Sequence, residues 1–257
     1  MKSLTKKEIE ELPKVKRLNI INSITGIKPA NLIGSINQKK ISNLAIFSSV
    51  VHLGSNPALI GFILRPEGKV RRHTYENILS NNYYTINHLP NSRTENGHYT
   101  SAKFHSEESE FKHCNFNEEY LPGFIAPFVK ESPLKIGMKY VESVPIEINN
   151  TTLVIGKVEN IQISENALND NGYIDLEKLN STGIAGLNSY YKLSKIASYP
   201  YARREEVPNF KKWRVLRTYF PLKPVQIVIE FFLGERNGNI VGRMLSIVVK
   251  SVNNYFV

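Results

Sequence analysis

The chain has 257 residues, of which 41% are hydrophobic and 22% are charged, and its net charge is +10. This composition predicts a globular protein with one large domain or two small ones, because the chain is long enough to bury a sizeable core. The positive charge suits anionic small molecules, but no long run of Lys and Arg and no recognisable nucleic-acid-binding motif is present, which argues against nucleic acid as the main partner.

The first elements along the chain are short. Residues 4–12 predict a helix, and residues 17–24 alternate weakly between apolar and polar side chains, which predicts a strand that ends before Gly26. Residues 31–36 predict a strand followed by a turn at 37–40, and the next strand is expected to begin near Ile41.

The middle of the chain begins with a turn signal at Asn56-Pro57. Residues 58–64 form a continuous apolar run of strand length, which predicts a buried strand. Residues 73–79 predict the start of a helix capped by the Thr74 side chain, with Asn77 where a capping box usually has Glu.

Strands dominate the region that follows. Residues 83–87 predict a strand, and the polar segment 98–120 predicts one or two helices. Residues 140–148 and 152–163 both alternate, and Asn149-Asn150 supplies a turn that pairs them. Because many short strands follow one another without a repeating strand–helix–strand order, we expect a mainly β barrel with peripheral helices.

The character of the chain changes after about Pro208. Residues 225–233 and 240–249 are apolar and are separated by a segment that contains Gly234 and Gly238, which predicts a hairpin. An appended hairpin, a partner-binding arm and a poorly ordered tail all remain compatible with this pattern. We therefore place a boundary between residues 207 and 208.

Small polar side chains lie along the strand that is predicted to begin near Ile41. Asn43, Ser48 and Ser49 can donate and accept hydrogen bonds without adding charge, as the ring edge and polar chain of a cofactor require. In a regular strand Ser48 and Ser49 face opposite sides. Polar residues that merely fill a strand edge would give the same pattern.

A basic cluster lies between the apolar run 58–64 and the next helix, and it consists of Arg65, Lys69, Arg71 and Arg72. Arg gives a phosphate monoester bidentate, charge-assisted hydrogen bonds, and a helix that begins near Thr74 would add backbone N–H groups. A solvated basic turn is the alternative interpretation.

Five histidines lie within 41 residues, namely His73, His88, His98, His105 and His113. Their spacings match no helical ligand pair, and no H-E-x-x-H motif is present. We therefore expect structural or rim histidines and no metal site. No G-x-S-x-G motif is present either, so the sequence does not indicate a serine nucleophile.

The only cysteine is Cys114, which excludes an intramolecular disulfide. The first residues are charged and lack the apolar core of a signal peptide, and no apolar run is long enough to span a membrane. These features favour a reducing, cytoplasmic location without a membrane partner.

Taken in order, several motifs resemble the flavin reductase-like family, in particular its short flavoprotein reductases and flavoredoxin-like proteins. The resemblance extends over about residues 15–205, and the last fifty residues lie outside it. The segments that carry it are 43–49, 54–62, 71–79, 84–87, 100–104, 126–133 and 186–190.

The resemblance implies an FMN-binding split β-barrel that forms a homodimer, with FMN near the subunit interface. It assigns residues 1–207 to this domain and leaves residues 208–257 as an extension of unknown role. It also implies an oxidoreductase that takes electrons from NAD(P)H, or from a reduced carrier protein, and passes them to free flavin, a ferric complex or a partner protein. An FMN electron carrier fed by another protein, and a ligand-binding barrel without redox chemistry, are the alternatives.

The resemblance also implies which residues bind the cofactor. Those assigned to the flavin ring and ribityl chain are Asn43, Ile46, Phe47, Ser48 and Ser49. Those assigned to the phosphate or the ribityl end are Arg65, Lys69, Arg71, Arg72 and Thr74. Ser101 and Lys103 would contribute from the next loop, and Tyr190 would lie near the flavin face. Ser49 stands where relatives often carry a bulky aromatic side chain, so the stacking on the ring is expected to differ.

Overall fold

The computed structural model describes residues 1–66, 68 and 71–208, together with the backbone of three strands between 214 and 251. The chain divides into two compact units, Met1–Lys195 and Ile196–Val257. The helices are α1 Lys6–Glu11, α2 Lys14–Ser23, α3 His73–Asn81, α4 Thr94–Tyr99 and α5 Glu110–His113.

The strands of the first unit are β1 Lys28–Pro29, β2 Asn31–Ile36, β3 Ser42–Phe47, β4 Val51–Ser55, β5 Ala58–Leu64, β6 Tyr83–His88, β7 Glu118–Glu119, β8 Phe128–Val129, β9 Leu134–Ile146, β10 Thr151–Ile163, β11 Thr182–Ala185 and β12 Ser189–Lys192. Seven of them form one antiparallel sheet in the order β3-β2-β6-β9-β10-β5-β4. The strands expected at 31–36, near 41, at 58–64 and at 83–87 are confirmed, and β9 pairs with β10 as predicted.

The strand predicted at 17–24 is wrong, because these residues belong to helix α2. Val15, Leu18 and Ile21 recur at every third position, which is a helical spacing that the weak alternation concealed. The helix buries none of its residues, and Val15 is 70% exposed. The preceding helix α1 lies within the predicted span 4–12 and begins with a capping box between Thr5 and Glu8.

The two faces of the large sheet carry separate cores. Along β2, Leu32 packs into one cluster and Ile33 into the other, because successive side chains of a strand point to opposite faces. On the Ile33 side, Phe62 makes edge contacts with Phe47 and Tyr84, with ring centroids 5.0 and 5.8 Å apart. The curved sheet thus encloses an aromatic core, and the prediction of a mainly β fold with peripheral helices is confirmed.

The segment that follows β3 is hydrogen-bonded to β5. The Ser49 hydroxyl accepts a hydrogen bond from the Ile63 N–H and donates one to the Ile63 carbonyl, both at 3.1 Å. Ser49 therefore joins the segment between β3 and β4 to the backbone of β5.

The predicted cap of α3 is wrong. The helix begins at His73, its N-cap is Arg72, and no side chain caps it. Thr74 lies in the first turn and is buried, and its hydroxyl donates to Asn43 Oδ1 at 2.7 Å. Thr74 is therefore drawn into a tertiary contact with β3. Of the one or two helices expected over 98–120, α5 lies within that span, whereas α4 begins before it and ends at Tyr99, and the end of the span forms strand β7.

The second unit contains a three-stranded antiparallel sheet of β13 Arg214–Leu222, β14 Val225–Arg236 and β15 Asn239–Ser251. Strands β14 and β15 confirm the hairpin predicted there, whereas β13 was not predicted. In the part of the chain that the structure describes, no helix is both long enough and apolar enough to cross a membrane.

His88, the last residue of β6, makes folding stability depend on pH. Its Nδ1 atom lies 3.1 Å from the Ser181 hydroxyl oxygen, and burial lowers its pKa to about 4. In the unfolded chain a histidine titrates near about 6.5. Between these values only the unfolded chain takes up the proton, so the contribution of His88 to stability is full above the unfolded pKa and is lost as the pH falls towards 4.

We expect the free energy of unfolding to be lower at pH 5 than at pH 7 by about 2 kcal/mol through this residue alone. Urea unfolding of the His88→Gln variant at the two pH values should show a correspondingly smaller difference. His52→Gln, at an exposed histidine of β4, is the matched control and should retain the wild-type difference. A His88→Gln variant that keeps the full difference would contradict the assignment.

Candidate cofactor site

A buried polar network surrounds Asn43 on β3. The Asn43 Oδ1 atom accepts hydrogen bonds from the hydroxyls of Thr74 at 2.7 Å and Ser35 at 3.2 Å, and its Nδ2 atom donates to Glu110 at 2.8 Å. Asn77 of α3 donates to the Ser35 hydroxyl at 3.1 Å. The side chain of Asn43 therefore ties β2, α3 and α5 to β3, and its contact with a cofactor stays a prediction.

Glu110 is a functional candidate that the sequence did not reveal. It is the first residue of α5 and is 5% exposed. Its Oε2 atom accepts from Asn43 Nδ2 and, at 3.0 Å, from the Leu44 N–H. Burial raises the pKa of Glu110, and these hydrogen bonds oppose the rise. Because its partners are 66 and 67 positions away in sequence, no local pattern indicates its role.

The first turn of α3 carries the features of an anion site. The first N–H groups of a helix have no acceptor inside it and lie at the positive end of the helix dipole. Arg72 donates from Nη2 to the Pro66 carbonyl at 3.0 Å. Its Nε atom is buried, and among the described residues it has no hydrogen-bond partner. A buried N–H without an acceptor is costly, so a ligand that offers an acceptor to this N–H would be bound favourably.

The neighbouring Arg71 is arranged differently. It forms a bidentate pair with Glu76, from Nε to Oε1 at 3.0 Å and from Nη2 to Oε2 at 2.5 Å, and this pair raises the pKa of Arg71. Arg65 is exposed just after β5, and Lys69 lies outside the described residues. The two adjacent arginines, which the sequence does not distinguish, therefore have different hydrogen-bond partners.

A polar cavity of about 410 Å³ lies beside the first turn of α3. It is bordered by the turn between β2 and β3, by the first turns of α3 and by residues 106–108. Lys39 and Glu107 form an ion pair of 3.0 Å at its border. Of the predicted site residues, the cavity brings together Asn43 and Arg71.

A second group of predicted residues meets on the other face of β3. Ile46 and Tyr190 pack against the same core cluster, and the Tyr190 hydroxyl lies 3.1 Å from His98 Nδ1. Burial raises the pKa of Tyr190. Ser101 donates to the His98 carbonyl at 2.7 Å, and Lys103 is exposed in the loop that follows. Tyr190 is therefore held by a histidine of its own chain.

The remaining predicted residues follow along the end of β3. Phe47 faces the aromatic core, Ser49 bridges to β5, and Ser48 between them is half-buried. Cys114 is buried, and burial raises the pKa of its thiol to about 11, which keeps it protonated and unreactive. Within the described residues, no group of three or more His, Cys, Asp or Glu side chains could hold a metal ion.

Comparison with known proteins identifies the domain. The sequence profile of the flavin reductase like domain matches residues 27–179. No significant match is found among curated proteins. Among solved structures, a protein from Shewanella frigidimarina NCIMB 400 described as a flavin reductase with a split barrel domain is 44% identical, with a TM-score of 0.76. The match covers 79% of this chain and 100% of that chain, and it confirms the predicted split β-barrel.

Two more distant structures share the fold. Nitrilotriacetate monooxygenase component B from Bacillus cereus is 19% identical with a TM-score of 0.69, and the match covers 77% of this chain and 98% of that chain. Flavoredoxin of Desulfovibrio vulgaris (Miyazaki F) is 20% identical with a TM-score of 0.60, over 68% of this chain and 92% of that chain.

Proposed function

Because the chain belongs to the flavin reductase-like family, we propose that it is an FMN-dependent oxidoreductase that takes electrons from NAD(P)H. The observation that carries the proposal is the buried Arg72 Nε at the first turn of α3, which lacks a partner among the described residues. A phosphate monoester would supply the missing acceptor, and the helix N-terminus favours the same negative charge. The residues present therefore fit the phosphate end of FMN.

The other proposed cofactor contacts are arranged around the phosphate contact of Arg72. Arg72 and Arg65 would bind the phosphate together with the backbone at Thr74, and Lys69 and Arg71 would add charge nearby. The ring and ribityl chain would lie along the end of β3, near Ser101, Lys103 and Tyr190. The corresponding β3 positions are Asn43, Ile46, Phe47, Ser48 and Ser49.

The chemistry of the proposed reaction belongs to the flavin, which when bound accepts a hydride and releases electrons singly or in pairs. The protein has to bind and orient the cofactor and to place charge beside it. A positive charge favours a reduced, anionic ring, and the exposed Lys103 is the residue that we assign to this task. This scheme does not need a nucleophile, and the protonated Cys114 thiol has no part in it.

We also propose that the protein acts as a homodimer. The outer face of β4, β5, β10 and β9 carries an apolar surface patch, which consists of Val51, Leu53, Leu59, Ile63, Val144, Leu153 and Ile155. Val51 and Val144 are 46% and 42% exposed. Exposed apolar patches of this kind mark protein interfaces. Because Ile63 also bonds with Ser49, the patch borders the proposed cofactor site, which supports a site close to the interface.

We propose a domain boundary between residues 207 and 208, which lies within the second compact unit, Ile196–Val257. The first domain contains the whole family match, and the split barrel relative is covered completely by 79% of this chain. Residues 208–257 are then an extension. The single buried thiol, Cys114, supports a reducing compartment such as the cytoplasm.

Anaerobic absorbance spectroscopy of the purified full chain, loaded with FMN, tests the proposed function. We expect flavin bands that bleach on addition of NADH or NADPH, because the proposed donor transfers a hydride to the ring. Bands that persist with both nucleotides would favour an electron carrier fed by a reduced partner protein. Failure to bind added FMN would overturn the proposal and favour a barrel that binds another ligand.

A further inference from the structure

Glu110 is a buried acid that the proposed chemistry does not use. It is 5% exposed and forms no ion pair with any described Lys or Arg. Placing a carboxylate inside a protein is costly unless it is well hydrogen-bonded, and an apolar side chain often serves stability as well or better. The two groups that donate hydrogen bonds to the Glu110 carboxylate therefore indicate its role in the structure.

The first donor is the backbone of an edge strand. Strand β3 lies at one end of the seven-stranded sheet, and the Leu44 N–H points to its unpaired side. Glu110 accepts this N–H at 3.0 Å, and Ser109 beside it shares a 2.6 Å hydrogen bond with Ser42. The start of α5 thus covers the strand edge and holds the end of the loop that carries Ser101 and Lys103.

The second donor is the amide of Asn43, which has a nitrogen and an oxygen end. Because the Glu110 carboxylate can only accept, it selects the orientation in which Nδ2 faces α5 and Oδ1 faces the opposite way. In that orientation Oδ1 receives the hydroxyl of Thr74 in the first turn of α3. The reversed amide would present an NH2 group to Thr74 and an oxygen to the carboxylate.

We propose that Glu110 is a positioning residue that sets the first turn of α3 for phosphate binding by fixing the orientation of the Asn43 amide. The inference rests on the proposed function and extends it to a residue outside the predicted cofactor contacts. Glu110 acts through Asn43 and Thr74, and Thr74 lies two residues from Arg72, whose Nε lacks a partner among the described residues. The ligand class that it serves is therefore the phosphate monoester of the cofactor, as distinct from the isoalloxazine ring.

The test compares the affinities of the full chain for FMN and for riboflavin, which differ only in the phosphate. Glu110→Ala is expected to weaken FMN binding by about tenfold while riboflavin binding changes by less than about twofold, because only the phosphate-binding turn is displaced. Glu110→Gln keeps an oxygen that can accept from both Asn43 Nδ2 and the Leu44 N–H, so it should retain most of the wild-type ratio of FMN affinity to riboflavin affinity. A purely structural role would lower the thermal midpoint without changing the FMN-to-riboflavin affinity ratio.

The double variant Glu110→Ala with Thr74→Val tests whether the effect passes through Asn43. If it does, the double variant should lose no more of the ratio than the stronger single variant, since both changes break the same path. Should Glu110→Ala not fold, Thr74→Val alone must lower the ratio. An unchanged ratio in the folded variants overturns the positioning role. Failure of the wild-type chain to bind FMN would instead overturn the proposed function.

Discussion

Replacing Arg72 with alanine is expected to weaken FMN binding by about 10- to 100-fold, the range that one charge-assisted hydrogen-bonding group supplies. The reason is the state of the guanidinium in the structure, where Nη2 is held by the Pro66 carbonyl and Nε is buried without a partner among the described residues. A ligand phosphate would complete the hydrogen bonding of this group. The measurement is a fluorescence titration of the apoprotein with FMN and, separately, with riboflavin.

Arg71→Ala is the matched control, because it removes the same charge from the adjacent position. The Arg71 guanidinium is already engaged by both oxygens of Glu76 at the surface, and its side chain is 70% exposed. Exposed ion pairs contribute little, so we expect the dissociation constant for FMN to change by less than about threefold. Equal losses in the two variants, or a loss for riboflavin as large as that for FMN, would contradict a phosphate contact at Arg72.

A negative charge in the apolar patch is expected to separate the proposed dimer. Val144→Glu places a carboxylate on the outer face of β9, where the side chain is 42% exposed, so the barrel itself tolerates the change. In a dimer the carboxylate would be buried without a partner, which should raise the dimer dissociation constant by about 100-fold or more. Sedimentation velocity over a range of protein concentrations measures the shift.

Ile125→Glu introduces the same charge at a residue that is 50% exposed but lies outside the patch, and it should leave the dimer intact. If FMN binds close to the interface, the Val144→Glu variant should also lose FMN affinity at concentrations where it is monomeric. A monomeric wild-type chain, or a Val144→Glu variant that dimerises as the wild type does, would remove this patch as the interface.

Local sequence patterns predicted six strands of the large sheet and missed the short strands β1, β4, β7, β8, β11 and β12. The side chains of a strand alternate wherever one face is buried. The paired segments around Asn149-Asn150 are confirmed for this reason, whereas the strand at 58–64 was predicted from its continuous apolar run and is also confirmed. The error at residues 17–24 has the same origin. Helix α2 buries none of its side chains, so the helical spacing of Val15, Leu18 and Ile21 is a weak signal that the alternation of residues 17–24 concealed.

The motifs pointed to a region of the chain, and the assignment of its residues to a cofactor site stays a prediction. Arg72 of the basic cluster and Asn43 of β3 do lie near the N-terminus of α3, because Arg72 is its N-cap and Asn43 accepts a hydrogen bond from Thr74 in its first turn. What each side chain does there was not predictable. Thr74 was expected to cap its own helix, and it bonds instead with a residue 31 positions earlier.

The sequence by itself determined the family and the predominance of strands, because hydrophobic alternation and short motifs are local properties of the chain. Only the tertiary structure decided which polar groups are already engaged. Arg71 and Arg72 are identical neighbours in sequence, yet one pairs with Glu76 at the surface and the other turns towards Pro66 with a buried Nε. Glu110 likewise meets β3 across 66 and 67 residues of chain. Such partners are brought together by packing, since a hydrogen bond depends on distance and direction in space and not on separation along the chain.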